Sequence, residues 1–181
     1  MLRRLRHERG QGIVELVITM VLISVALLTL AAGYDTGFLS LHQSARKLAA
    51  ANLGEKQLEL YAAIPYAKLA LDTTTLASVK ASDATYTSDD ASLSPTGSDA
   101  PTLSCGTASY CLPVQDPVGS DGRHYKVETF IRTVSQTVSG GGSVDEKDIT
   151  VIVRDPNQSG APIAYEATTA FDCAMSDGSC F

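Results

Sequence analysis

From Leu16 through Ala32 and on to Tyr34 the chain carries no charged side chain, and a cluster of Arg3, Arg4, Arg6 and Arg9 stands a few residues before this run. Crossing the hydrocarbon core of a bilayer takes about 20 mostly apolar residues. Gln11 to Tyr34 meets that length with a little slack, whereas the apolar region of a cleavable signal is usually only about 7 to 15 residues. The sequence therefore predicts a membrane-spanning helix. Its arginines stay on the cytoplasmic side and everything after Tyr34 lies across the membrane. Ala31-Ala32-Gly33 is a small-residue cleavage site, so an ordinary signal peptide stays open as the alternative.

Averages over the 181 residues conceal this division. The whole chain has 14 Lys+Arg against 20 Asp+Glu, a net charge of -6, but without its first ten residues the counts are 10 and 19, a net of -9. A chain this acidic beyond its basic tip excludes a binder driven by phosphate neutralisation, so no nucleic-acid partner is expected.

Glu15 interrupts the apolar stretch near its start. A carboxylate at a helix centre in a bilayer is disfavoured by about 2.5 to 3.5 kcal/mol, less near the interface, and such groups usually have a partner. The alternative is an interfacial glutamate that snorkels to water. The residues around it, Arg9-Gly10-Gln11-Gly12-Ile13-Val14-Glu15, resemble the processing site of type IV prepilins and of the pseudopilins of type II secretion. The resemblance implies that a prepilin peptidase in the membrane cuts after Gly10, making Gln11 the new N-terminus and Glu15 its fifth residue. Cutting after Gly12 would leave Glu15 third, which does not match. It implies further that the new amine, N-methylated in the family, pairs with Glu15 of a neighbouring subunit and so sets the stagger between subunits. Many family members begin with Phe or Met instead. An N-terminal Gln can cyclise, which would remove the positive charge.

No proline occurs from Tyr34 to Ile64, so the helix is expected to continue, with Leu41, Ala45, Leu48, Ala49, Leu53, Leu60 and Ile64 following one drifting face. Lys47, Glu55 and Glu59 keep the other faces wet, and Pro65 is the stop, because the residue before a proline is pushed out of the helical region. The run Ala51 to Tyr66 is similar to the end of the first helix in minor pilins and minor pseudopilins of the PilV and GspI kind.

Beyond Tyr66 the composition changes. Ten of the 23 residues from Ser82 to Ser104 are Ser or Thr, which reads as an exposed loop with too little apolar surface to offset chain entropy. Three strands are expected, at His124 to Ser135, Asp148 to Arg154 and Ile163 to Phe171, from alternating apolar residues. Gly140-Gly141-Gly142 and Asp155-Pro156-Asn157 with Gly160 supply the turns. An antiparallel meander then packs on the outer half of the helix.

Cys105, Cys111, Cys173 and Cys180 all follow the stem; on the far side of a membrane an even number reads as disulfides. Three pairings are possible, of which the local ones, Cys105 with Cys111 and Cys173 with Cys180, are preferred. A zinc site competes poorly, because neither pair has short metal-ligand spacing and no His stands near in sequence. Catalytic patterns are weak. Ser44-Ala45-Arg46-Lys47 has the spacing of a Ser-x-x-Lys nucleophile but lies within the long helix. His7, His42 and His124 have no evident Ser or Cys partner, and Asp145-Glu146-Lys147-Asp148 lacks the alternation and glycine of a calcium loop and reads as a solvated hairpin.

The expected fold class is α+β, a long N-terminal helix with a transmembrane first half, packed on a small antiparallel sheet, as in pilins. The expected organisation is a leader at 1–10, the membrane half of the helix at 11–34, its outer half at 35–65, an irregular region at 66–123, and sheet and tail at 124–181. The resemblance implies a minor pilin or pseudopilin with no catalytic role, cofactor or metal. Its implied partners are prepilin peptidase, other subunits through the helix, an inner-membrane assembly platform and, before assembly, lipid. Its implied location is the bacterial inner membrane and then a surface or extracytoplasmic filament. A signal-anchored extracytoplasmic binding domain and a TadE-like tight-adherence pseudopilin are the alternatives.

Overall fold

A computed structural model describes residues 8–93, 98–99, 108–138 and 142–172. The protein is α+β, and it divides into two compact units, 1–44 and 45–181. One helix, α1 (Glu8–Ala62), runs through 55 residues. In the first unit it stands by itself, and every residue from Gly12 to Ala45 is exposed. Its hydroxyls turn inward on its own backbone: Thr19 donates to the Leu16 carbonyl at 2.9 Å, Ser24 to Met20 at 2.8 Å and Thr29 to Ala26 at 2.9 Å. Such local bonding lets a hydroxyl sit in apolar surroundings without an unsatisfied group.

In the second unit α1 becomes one layer of a domain. Its buried stripe is Ala50, Gly54, Gln57 and Tyr61, a helical spacing of three and four residues. The expected face is met at Ala49, which is fully buried, but Leu41 and Leu48 are exposed and Leu53, Leu60 and Ile64 are only partly buried. Small and polar residues take the contact because the backbone itself approaches the sheet there. A Cβ built on Gly54 would lie 2.3 Å from Cε1 of Tyr165. Gly54→Ala is therefore expected to destabilise the domain by about 1–3 kcal/mol, the usual range for overpacking, in chemical denaturation of the full chain in detergent. Glycine also costs helix propensity, so an unchanged or raised stability would show that Tyr165 moves aside freely.

The helix ends at Ala62, close to the expected stop at Pro65, which instead starts a short 3-10 turn over Tyr66–Lys68. The region 66–123, expected to be irregular, holds regular structure: α2 (Thr73–Ser82), α3 (Ala84–Ser92), β1 (Ser98–Asp99) and β2 (Val114–Gln115). Capping accounts for both helices. Asp72 accepts the Thr75 N–H at 2.9 Å to start α2, and Asp83 accepts those of Thr85 and Tyr86, both at 3.1 Å, to start α3. Ser and Thr suit helix surfaces and caps as well as loops, so composition alone could not separate the two.

β3 (Lys126–Val138), β4 (Gly142–Arg154) and β5 (Ile163–Asp172) form the expected antiparallel meander, with β3 and β4 longer than expected and joined in register up to Val138 opposite Gly142. β1 and β2 lie in tandem along the outer edge of β3, antiparallel to it, at Arg132–Thr133 and Val127–Glu128. The turn into β5 is built by Asp155. Its carboxylate accepts the Asn157 N–H at 3.0 Å, the Asn157 side-chain amide at 3.1 Å and the Gln158 amide at 3.0 Å.

Both faces of the central strands are covered. Val127, Ile149, Val151 and Val153 share the face that carries Tyr165, toward α1. Phe130, one residue out of phase with Val127, stacks on Tyr86 of α3 with ring centroids 4.4 Å apart. The result is a three-layer domain, α1 on one side of the sheet and α2 with α3 on the other.

Candidate functional site

The residues singled out for processing and assembly all lie on α1, in the first unit. Helical backbone runs without a break through Gly10 and Gln11 to Glu15, so Gln11 and Glu15 are one turn apart on one side of the helix. Glu15 is exposed beside Val14, Ile18 and Thr19. Between it and Tyr34 no other side chain is charged. Among the described residues its carboxylate has no partner, while the nearby hydroxyls bond their own backbone. A lone carboxylate on an otherwise apolar helix requires either water or a cation supplied from outside the described chain.

Further along the same helix, Gly33 and Gly37 form a recess of about 400 Å³ walled by Leu30, Tyr34, Phe38 and Leu41. Nothing lies within 4 Å of a Cβ built on either glycine. Such i, i+4 small residues let another helix backbone come close.

The second unit has its own cleft, about 500 Å³, between α1 and the β2 edge. Leu53, Leu60, Pro117 and Val127 give it apolar walls, and Lys56 and Glu59 stand on the helix side. Nearby, the Tyr125 hydroxyl donates to Asp121 at 2.7 Å, and burial together with that carboxylate raises it above the ordinary phenol range.

The remaining sequence candidates are scattered. Cys111 is fully buried and disulfide-bonded, and its carbonyl accepts the N–H of Asp72 at 2.9 Å, at the start of α2. Cys105, Cys173 and Cys180 lie outside the described residues, as does His7, so the preferred pairing is not tested. Ser44 and His42 are exposed in mid-helix. His124 is exposed and reaches only Asp116, Nδ1 to Oδ2 at 3.4 Å. The 145–148 stretch is part of β4 and not a hairpin. Lys147 in particular is buried, its ammonium donating to the Tyr66 and Leu69 carbonyls, both at 2.9 Å, 4.5 Å over the Tyr66 ring. Burial pushes that amine below the ordinary lysine range. Among the described residues no cluster of three His, Cys, Asp or Glu could hold a metal ion.

Sequence reasoning missed a charged layer between α3 and the sheet. Glu128 is fully buried, with Lys126 at 2.6 Å and Arg154 at 3.0 Å. Lys126 reaches Asp83 at 2.5 Å, Arg154 reaches Asp89 at 2.5 Å, and Arg132 reaches Asp90 at 2.9 Å. The signal was present as Lys126, Glu128 and Arg132 at alternate positions of β3. A wholly solvated face would also have produced it.

Fold and site together define an α+β domain on a helix long and apolar enough to cross a membrane, with one carboxylate in the apolar part. No protein-family model, no curated protein and no solved structure matches the chain.

Proposed function

We propose that the chain is a minor pilin or pseudopilin: a precursor held in the bacterial inner membrane, cut after Gly10, and assembled through α1 into a type IV pilus or a type II secretion pseudopilus. The observation that carries this reading is the composition of one continuous helix. Its apolar stretch is fully exposed and contains a single carboxylate at Glu15, and its later turns form a layer of the sheet domain. A tether alone would have no use for a charge in the apolar stretch.

In this reading the amine created at Gln11 is the cation that Glu15 lacks, supplied by the neighbouring subunit. Bringing the two together lets each charge offset the other in an environment that solvates neither. Gly33 and Gly37 give neighbouring helices a place to approach. Lipid covers the helix before assembly, and other helices cover it afterwards.

Intact-mass measurement of the membrane-extracted protein tests the processing step. The expected mature chain begins at Gln11 with one added methyl group; loss of ammonia on cyclisation would keep the cut after Gly10 but overturn the pairing of that amine with Glu15. A mature chain that still begins at Met1, or one that begins near Gly33, would overturn the reading; the second outcome would point to a signal peptide.

A further inference from the structure

Leu76 of α2 and Leu93, which directly follows α3, are buried in one cluster with Phe130 and Ile152, and ion pairs add to that apolar contact at α3. Tyr86 is its one buried residue, with its hydroxyl donating to the Thr129 carbonyl at 2.9 Å and its ring on Phe130. The three carboxylates of this segment each meet a cation of the sheet, Asp83 with Lys126, Asp89 with Arg154 and Asp90 with Arg132. Arg132 also donates to the Asp90 carbonyl. Lys80 of α2 joins them, 3.0 Å from Asp90 and 2.6 Å from Asp99 of β1. Beneath, Glu128 holds Lys126 and Arg154 to one another.

An apolar layer and an ionic layer open differently. Separating packed hydrocarbon costs free energy in proportion to the area wetted. Separating ions returns each to water, which solvates it well, so the net cost is far below the Coulomb attraction. The other side of the sheet is apolar, with Ile149, Val151 and Val153 wholly buried toward α1. The α3 side also buries Phe130 and Ile152, and the layer of ion pairs is what sets it apart.

We infer that α2 and α3 form a lid latched by these ion pairs, which lifts from the sheet as a unit while β3, β4 and β5 remain folded. Lifting uncovers Phe130 between Lys126, Arg132 and Arg154. The lid stays anchored at Asp72, whose N–H is held by Cys111. The inference does not depend on the assembly reading, since it concerns the second unit alone.

The charged groups in the layer are Asp83, Asp89 and Asp90 from the lid's second helix, Lys80 from its first, Asp99 from β1, Lys126, Glu128 and Arg132 from β3, and Asp148 and Arg154 from β4. Burial alone would raise the Asp83 carboxyl, but Lys126 and the N–H groups of Tyr86 and Thr85 outweigh it and hold it below the ordinary 3.8. Its contribution is thus complete above that value and is lost as pH falls through the lower folded value. Asp148 has the opposite sign: burial and Glu146 raise it, so protonating it does not favour opening.

Native-state hydrogen exchange read by mass spectrometry, on the full chain in detergent, tests the lid. In a triple variant, Asp83→Asn, Asp89→Asn and Asp90→Asn, asparagine still caps α3 while the latch loses its charge. Amides of 73–92 should lose at least about tenfold in protection, with those of β3 to β5 changed less than about twofold. Retained protection over 73–92, or strands losing protection in step with it, would overturn the inference. If the variant does not fold, the wild-type chain is stepped from pH 7 down to pH 2, with correction for intrinsic exchange, and a lid still protected when the strands open rejects the inference. The lid should then open at higher pH than the strands, and simultaneous opening rejects it.

Discussion

Replacing Glu15 by Ala should leave a chain that is still cut to begin at Gln11 and still held in the membrane, but that is lost from sheared filaments by about tenfold or more. In the proposed reading, processing depends on the leader and on the Gly10–Gln11 bond, which the substitution does not touch. Membrane retention should not fall, since Glu15 is the one charge in the apolar stretch and removing it lowers the cost of insertion. Assembly is different, because the subunit would enter the filament with nothing to receive the N-terminal amine of its neighbour. Glu15→Asp keeps the charge and should retain part of the function. The measurement is immunoblotting of filament and membrane fractions beside the intact mass of the mature chain. Normal incorporation of Glu15→Ala would show that assembly does not use this carboxylate, whereas a wild-type chain found in the membrane and never in filaments would favour the anchored binding domain.

A comparably large effect on stability is expected at Glu128. Ala at this position leaves the Lys126 ammonium and the Arg154 guanidinium against a buried hole. Loss of one member of a buried ionic group costs about 3–5 kcal/mol, and the lower end applies here because Asp83 and Asp89 still hold the two cations. Asp99→Ala removes a carboxylate at the solvent end of the same network, where 48% of the side chain is exposed, and should cost less than about 1 kcal/mol. Chemical denaturation of the full chain in detergent, followed by far-ultraviolet circular dichroism, checks both. A Glu128→Ala loss no larger than that of Asp99→Ala would mean that the buried charges rearrange at little cost.

The strands were legible where alternation was strong. Alternation over His124 to Ser135 and Asp148 to Arg154 marked β3 and β4, where Val127, Thr129, Ile131, Ile149, Val151 and Val153 are buried on one face. The opposite face was not legible, because Lys126, Glu128 and Arg132 read as solvent-facing until α3 is placed over them. The helix contact failed for a related reason. Leucines mark an apolar face, but at Gly54 closeness mattered more than hydrophobicity, and the residues that permit closeness are small. Caps at Asp72 and Asp83 were readable in principle, yet the Ser and Thr around them are equally compatible with a loop.

By itself the sequence determined a single long helix, apolar and all but uncharged in its first part, and an antiparallel meander after it. Both follow from local periodicity, which needs no knowledge of what the elements touch. Gly10, Gln11 and Glu15 were singled out by resemblance to a prepilin processing site, a local motif that needs no tertiary contact to be read. Only the tertiary structure decided that the sheet is covered on both faces and that its second cover brings ion pairs with it. Ion pairs such as Arg154 with Asp89 join residues far apart in the chain, and no local pattern distinguishes a charge that meets its opposite from one that meets water.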